Sequence, residues 1–361
     1  MKLLITLFLT SAAGFSATPC LKATEACQDW ITLGGGPWRS RVYTTFPLAT
    51  RNPQITRAFI MVHGTNRDAD NYFRTALAAA FLGNALDDTL VISPRIASAQ
   101  GGCHDPLAEN EVSWSCGGDS WRSGGTSAST DKLTSFDFVD ELLRKLAKRD
   151  AFPNLKAIVV AGHSAGGQFV NRYSMANHIH ETLGLPVTYV VANPSSYAWL
   201  DSTRPIPTQA PAVRPAGRDG APPTTQDKLL AEKEAAASVN FVPFAGADKC
   251  ANYDRWPYGM QNRTGGYTAK MSVEQLKKQL VSRPVTYLLG EIDILPLGGF
   301  DGSCSAMAQG PTRLARGQAF AKFVTEKLGA QHKMQEVHLC GHNARCMFTD
   351  EATLPLIFPK Q

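Results

Sequence analysis

The apolar run Leu155-Lys156-Ala157-Ile158-Val159-Val160-Ala161 ends in Gly162-His163-Ser164-Ala165-Gly166-Gly167. The run reads as a buried strand. The G-x-S-x-G after it reads as a sharp strand-to-helix turn that holds Ser164 in a strained backbone geometry with its hydroxyl free. The outer glycines belong there because a Cβ would collide with the turn and with its neighbours. Such a hydroxyl becomes a nucleophile when an imidazole lies within hydrogen-bond reach.

The rest of the chain alternates strand and helix patterns. Strands are expected at 41–46, 58–62, 90–93, 187–192, 285–289 and 334–339. Helices are expected near 70–86, with Asp68 or Asp70 as N-cap, from Ser135, over 165–183, and over 312–328. In the helix after Ser135, Val139, Leu142, Leu143 and Leu146 repeat at i, i+3, i+4 and i+7, which makes one apolar face. Strands separated by helices imply parallel βαβ units, hence an α/β fold with a mostly parallel central sheet and helices on both faces. Between two late strands lies a different kind of segment. Pro205, Pro207, Pro211, Pro215, Pro222 and Pro223 sit among Thr, Ala and Gly, a short helix pattern covers 225–237, and an irregular aromatic stretch runs from Tyr253 to Tyr267. Residues 201–270 therefore read as a loop-rich, lid-like insertion over the sheet's C-terminal edge, where ligands of such sheets bind.

With 361 residues and 43% apolar content the chain can bury a large core. Its formal charge of +5 is spread among interspersed acids and bases, with no Lys/Arg run of the kind that binds nucleic acid. Lys2, the apolar Leu3–Leu9 and the small residues of 11–17 read as a secretory signal. Cleavage is expected near Ala17, leaving 18–361 as one domain, exported to a secreted or periplasmic location. No segment is long and apolar enough for a permanent membrane helix. Eight cysteines follow the signal, and an even count in an exported chain favours disulfides. About a hundred pairings are possible. Those guessed here are Cys103 with Cys116, Cys250 with Cys304, and Cys340 with Cys346, the last closing a small loop around His342. No paired C-x-x-C exists to suggest zinc, and no cofactor is expected.

A serine nucleophile needs a base, the base an orienting carboxylate, and the oxyanion N–H donors. His342 follows the last expected strand, and Gly341 gives the backbone freedom to turn its imidazole toward the sheet edge. Of the other histidines, His63 is read as shaping the turn after the 58–62 strand, His338 as pointing into the flanks of its strand, His178 and His180 as lying on different faces of one helix, and His104 and His332 as ordinary loop residues. The carboxylate should follow the 285–289 strand, where Gly290-Glu291-Ile292-Asp293 stands. Asp293 is chosen, with Glu291 as the rival and Asp301 and Asp248 behind it. The oxyanion donors would be the backbone amides of Ala165, at the positive end of the following helix, and of Thr65, in the turn His63-Gly64-Thr65.

The order Ser164, Asp293, His342 is that of α/β-hydrolases rather than of chymotrypsin or subtilisin. Over about residues 40–350 the chain resembles that family in His63-Gly64-Thr65, Gly162-His163-Ser164-Ala165-Gly166, Gly290-Glu291-Ile292-Asp293 and Gly341-His342. The stretch Val62 to Ala69 is similar to secreted esterases of the polyester depolymerase and feruloyl or acetylxylan esterase types. The resemblance implies two-step acyl transfer to water from a small or polymeric ester through a Ser164–His342–Asp293 triad. The alternatives are a serine peptidase or amidase, and a non-catalytic binding protein on the same fold. Trp114, Trp121, Trp199, Tyr197, Trp256 and Tyr258 read either as a stacking surface or as packing under long loops. Arg313 and Arg316 read either as substrate carboxylate ligands or as partners in surface salt bridges.

Overall fold

The computed structural model describes residues 18–117, 120–208, 238–263 and 266–359, with positions 224, 227, 231, 233 and 235. The expected signal segment 1–17 and the prolines Pro211, Pro215, Pro222 and Pro223 lie outside the described residues.

Ten strands are described: β1 (Gln28–Thr32), β2 (Arg39–Thr44), β3 (Arg57–Val62), β4 (Thr89–Pro94), β5 (Ala157–His163), β6 (Val187–Ala192), β7 (Thr203–Pro207), β8 (Val239–Pro243), β9 (Val285–Gly290) and β10 (Lys333–Val337). Eight form one sheet in the order β1-β2-β4-β3-β5-β6-β9-β10. Its first two pairings, β1 with β2 and β2 with β4, are antiparallel and the rest are parallel. β7 and β8 make a separate antiparallel pair. The main helices are α1 (Ala69–Leu82), α2 (Ser135–Ala147), α3 (Ala165–Ala176), α4 (Val273–Ser282), α5 (Arg313–Lys322) and α6 (Ala344–Thr349).

Strand periodicity divides the core in two. Ala58, Ile60 and Val62 of β3 join Val160, Tyr189 and Tyr287 under α2, α3, α4 and α5. Their neighbours Phe59 and Met61 point the other way, with Val159, Ala161 and Val190, under α1, Met347 and Phe348. Successive residues of a strand face opposite sides, so continuously apolar strands are what a sheet covered twice requires. Full burial of a side chain such as Phe59 contributes about 1.5–3 kcal/mol.

Four disulfides form. Three are the pairings expected above, and the fourth joins Cys20 to Cys27. No helix of the described residues is long and apolar enough to cross a membrane.

Several expectations need correction. The helix expected over 165–183 ends at Ala176, because the Asn177 side-chain oxygen accepts from the backbone N–H of Ile179 and His180 and turns the chain. His178 and His180 therefore lie beyond it. The helix expected over 312–328 changes at Phe323 to a π-helical turn. Pro205 and Pro207 belong to a strand rather than a loop, since a two-stranded ribbon leaves one edge that needs no N–H donor.

Candidate active site

Ser164 stands between the end of β5 and the start of α3 with φ 59° and ψ −120°. This is a left-handed backbone for a residue with a Cβ, a strain that persists only when the surroundings enforce it. They do so here. The Ser164 N–H donates to Ala192 O at 3.0 Å, and its carbonyl accepts from Gln168 N at 3.0 Å. A Cβ on Gly162 would overlap the Gly166 carbonyl, and one on Gly166 would overlap that of Val62. These two glycines let β5, the turn and β3 approach closely enough to hold the elbow.

The imidazole of His342 lies between Ser164 and Asp293. Its Nε2 is 2.9 Å from Ser164 Oγ, and its Nδ1 is 2.7 Å from Asp293 Oδ2. A carboxylate at Oδ2 accepts, which assigns the proton to Nδ1 and leaves Nε2 free to take the serine proton. The loop bearing His342 is fixed at several points. Asn193, just past β6, accepts from Gly290 N at 2.8 Å and donates through Nδ2 to Gly341 O at 3.1 Å. The Cys340–Cys346 bridge closes the chain around the histidine. Sequence reading missed Asn193, and its position directly after a buried strand was the available signal.

Asp293 is buried, and its second oxygen accepts from Arg313 Nη1 at 3.3 Å. Arg313 is neither a surface ion-pair partner nor open to a ligand. It is buried, and it also donates to Ser195 Oγ at 2.8 Å and to the carbonyls of Leu297 and Gly298 at 2.7 and 3.0 Å. Arg316 is buried as well and donates to Ser195 O and Gly310 O. The other acids are engaged elsewhere. Glu291 accepts from Lys233, from Leu339 N and from His338. Asp301 accepts from Tyr258 Oη at 2.7 Å, and Asp248 is exposed. His338 is exposed against Glu291 instead of lying in its strand's flank.

Ala165 is the first residue of α3, so its N–H has no helical acceptor. Thr65 lies in the turn after β3 and lines the same cavity as Ser164 and His342. That cavity, of about 520 Å³, is also lined by Gly64, Tyr72, His163, Gly298 and Gly299. None of the described residues of 201–270 lines it. Trp114, Trp121, Trp199 and Tyr197 are buried as packing. His332, read as an ordinary loop residue, lies outside the helices and strands and bridges Tyr287 Oη and Leu280 O.

His63 donates from Nδ1 to Gly64 O at 2.8 Å and accepts at Nε2 from Ile96 N at 3.0 Å. Burial pushes it down to about 4. His163, whose ring centroid lies 4.6 Å from that of His342, is held well below the usual histidine range, by burial first and then by His342 and Arg313. Both stay neutral in the fold while the unfolded chain takes up protons below about pH 6.5, so stability is complete above that value and falls as pH drops toward 4. Buried Asp140 is pushed up to about 6, and being one proton taken up by the fold it offsets part of this. Stability is therefore expected to fall between about pH 7 and about pH 5. Urea unfolding midpoints at the two pH values check it; a midpoint that holds or rises on acidification would refute it.

No family model matches the chain, and no curated protein matches it in sequence. Solved structures do. It is similar to poly(aspartic acid) hydrolase-1 from Sphingomonas sp. KT-1, with a TM-score of 0.59 at 18% identity, over 92% of this chain and 98% of that one. It is also similar to a poly(3-hydroxybutyrate) depolymerase from Bordetella parapertussis, with a TM-score of 0.54 at 19% identity, over 90% of this chain and 89% of that one. The chain has the α/β-hydrolase fold. Within the α/β-hydrolase sheet, Ser164, Asp293 and His342 follow β5, β9 and β10 at their C-terminal ends.

Proposed function

We propose that this chain is an exported serine hydrolase that cleaves carboxylic esters through an acyl-enzyme intermediate. The observation that carries the reading is the continuous contact from Ser164 Oγ through His342 to Asp293. In the reaction His342 Nε2 removes the Ser164 proton as Oγ attacks the ester carbonyl. The Ala165 and Thr65 N–H groups receive the oxyanion. Nε2 then gives its proton to the leaving alcohol and activates the water that releases the acid. Asp293 holds the ring and stabilises the imidazolium. Export is supported by four disulfides, which persist in oxidising compartments. Residues 201–270 are read as a loop-rich, lid-like insertion between β6 and β9.

The names of the similar folds, a hydrolase and a depolymerase, favour hydrolysis over a non-catalytic binding role. Labelling with a fluorophosphonate probe, read together with turnover of p-nitrophenyl acetate, tests the proposal. Covalent label on Ser164 with saturable turnover is expected, and an unlabelled protein without turnover would defeat it.

The Cys340–Cys346 bridge leads to a separate expectation. Opening a loop this short costs about 2 kcal/mol of stability. Its larger effect is expected on the base, because small displacements of a reacting group cost ten-fold or more in rate. The doubly substituted Cys340→Ser, Cys346→Ser protein should stay folded while kcat/KM falls about ten-fold or more. Full turnover in that variant would mean that Asn193 and Asp293 hold His342 unaided.

A further inference from the structure

The cavity beside Ser164 has walls of an unusual kind for a site that takes esters. Beyond the triad, its lining includes Asn66, Asp68, Asn71, Thr75, Asn343 and Arg345. Among the described residues no Val, Leu, Ile, Met, Phe or Trp lines it, and Ala344 is the largest aliphatic side chain that does. Leu295 and Leu297, near in sequence to Gly298, are exposed to solvent and lie outside the lining. Asn71, Tyr72 and Thr75 come from one side of α1, and Asn343, Ala344 and Arg345 from the start of α6. The two helices pack together. Two polar helix faces therefore form one wall.

From this wall we infer that the substrate is an ester whose groups flanking the scissile carbonyl carry hydrogen-bonding atoms rather than an alkyl chain. The inference rests on the ester-hydrolase reading of Ser164. An alkyl chain entering this cavity would strip water from amide, carboxylate and guanidinium groups and return no partner. A substituent with its own amide or hydroxyl replaces those waters with direct bonds. A site built to hydrogen-bond its substrate rejects the analogue that lacks the polar group. In an apolar-walled site each added methylene would raise kcat/KM about four-fold. Here no such rise is expected.

The experiment compares methyl esters by pH-stat titration, each rate divided by that ester's own hydrolysis rate in hydroxide. Methyl N-acetylglycinate and methyl pentanoate are nearly matched in length and differ in the amide. The wild-type protein is expected to favour the first in kcat/KM by about ten-fold or more, with kcat/KM falling along the series from acetate to octanoate. The Asn71→Leu, Thr75→Val double variant is expected to shrink that preference about ten-fold. Equal or greater activity on methyl pentanoate in the wild type would overturn the inference, as would a preference that the double variant leaves unmoved. Ser164→Ala, run on methyl acetate, separates the two levels. Turnover that survives it, or no wild-type turnover of any ester, would defeat the hydrolase reading itself, whereas Ser164-dependent turnover with an alkyl preference would defeat only the inference about the substrate.

Discussion

Ser164→Ala is expected to lower ester turnover by about 10⁴ or more and to abolish fluorophosphonate labelling while the fold persists. The change removes one oxygen. It leaves in place the Ser164 N–H bond to Ala192 and the carbonyl bond from Gln168, which are backbone contacts. The hydroxyl's partner, His342 Nε2, borders the cavity, so water replaces the lost contact. Alanine takes the elbow's φ of 59° no more easily than serine, so the thermal midpoint should move by only a few degrees. Loss of activity with an intact midpoint assigns the effect to chemistry. Turnover within ten-fold of wild type would sink the nucleophile assignment.

Asp293→Asn is expected to cost about 10⁴ in kcat, the size of effect seen when such a carboxylate becomes an amide in a serine protease triad. The reason lies in how Arg313 constrains the replacement. Arg313 donates to Oδ1 of Asp293, and an asparagine oxygen still accepts from that donor, though more weakly than a carboxylate. The amide nitrogen is then left facing His342 Nδ1, now as a donor. The imidazole must accept there, so its proton moves to Nε2, opposite Ser164 Oγ, and the base cannot take a second proton. The fold should survive, because Arg313 keeps its bonds to Ser195, Leu297 and Gly298. A kcat within ten-fold of wild type would mean that Asp293 only packs against the histidine.

Much of this site is legible in the residues themselves. Ser164 and His342 stand at the ends of apolar strands with glycines beside them, and a sheet of parallel strands brings such ends to one edge. Asp293 could be separated from Glu291 only by coordinates. The two lie two positions apart in one turn, and the difference is that Lys233, His338 and the Leu339 N–H have claimed Glu291. Arg313 was illegible for a deeper reason. An arginine at a helix start looks solvated, and its burial here follows from the 291–299 loop folding over it, a contact between segments that no local pattern encodes. The same holds for β1, α4 and α6, which escaped the reading. β1 is a short edge strand with one fully buried position among five. α4 has only two buried side chains in ten, Leu276 and Leu280, too few to mark a helix against the loop-rich segment before it. The described residues of 97–130 are largely loop, tied down by Arg67, which donates to the carbonyls of Ile96, Ser115 and Cys116.

Arg313 ties Asp293 to the carbonyls of Leu297 and of Gly298, the second of which lines the cavity. Attempts to reshape this cavity will meet that linkage. Gly298 and Gly299 are natural targets for widening the entrance, yet any insertion or bulky replacement there pulls on the guanidinium and, through it, on the carboxylate that steers the imidazole. Broader substrate scope and rate are thus mechanically opposed along this loop. Variants that escape the trade-off should arise on the opposite bank, along α1, where neither Ser164, Asp293 nor His342 is anchored.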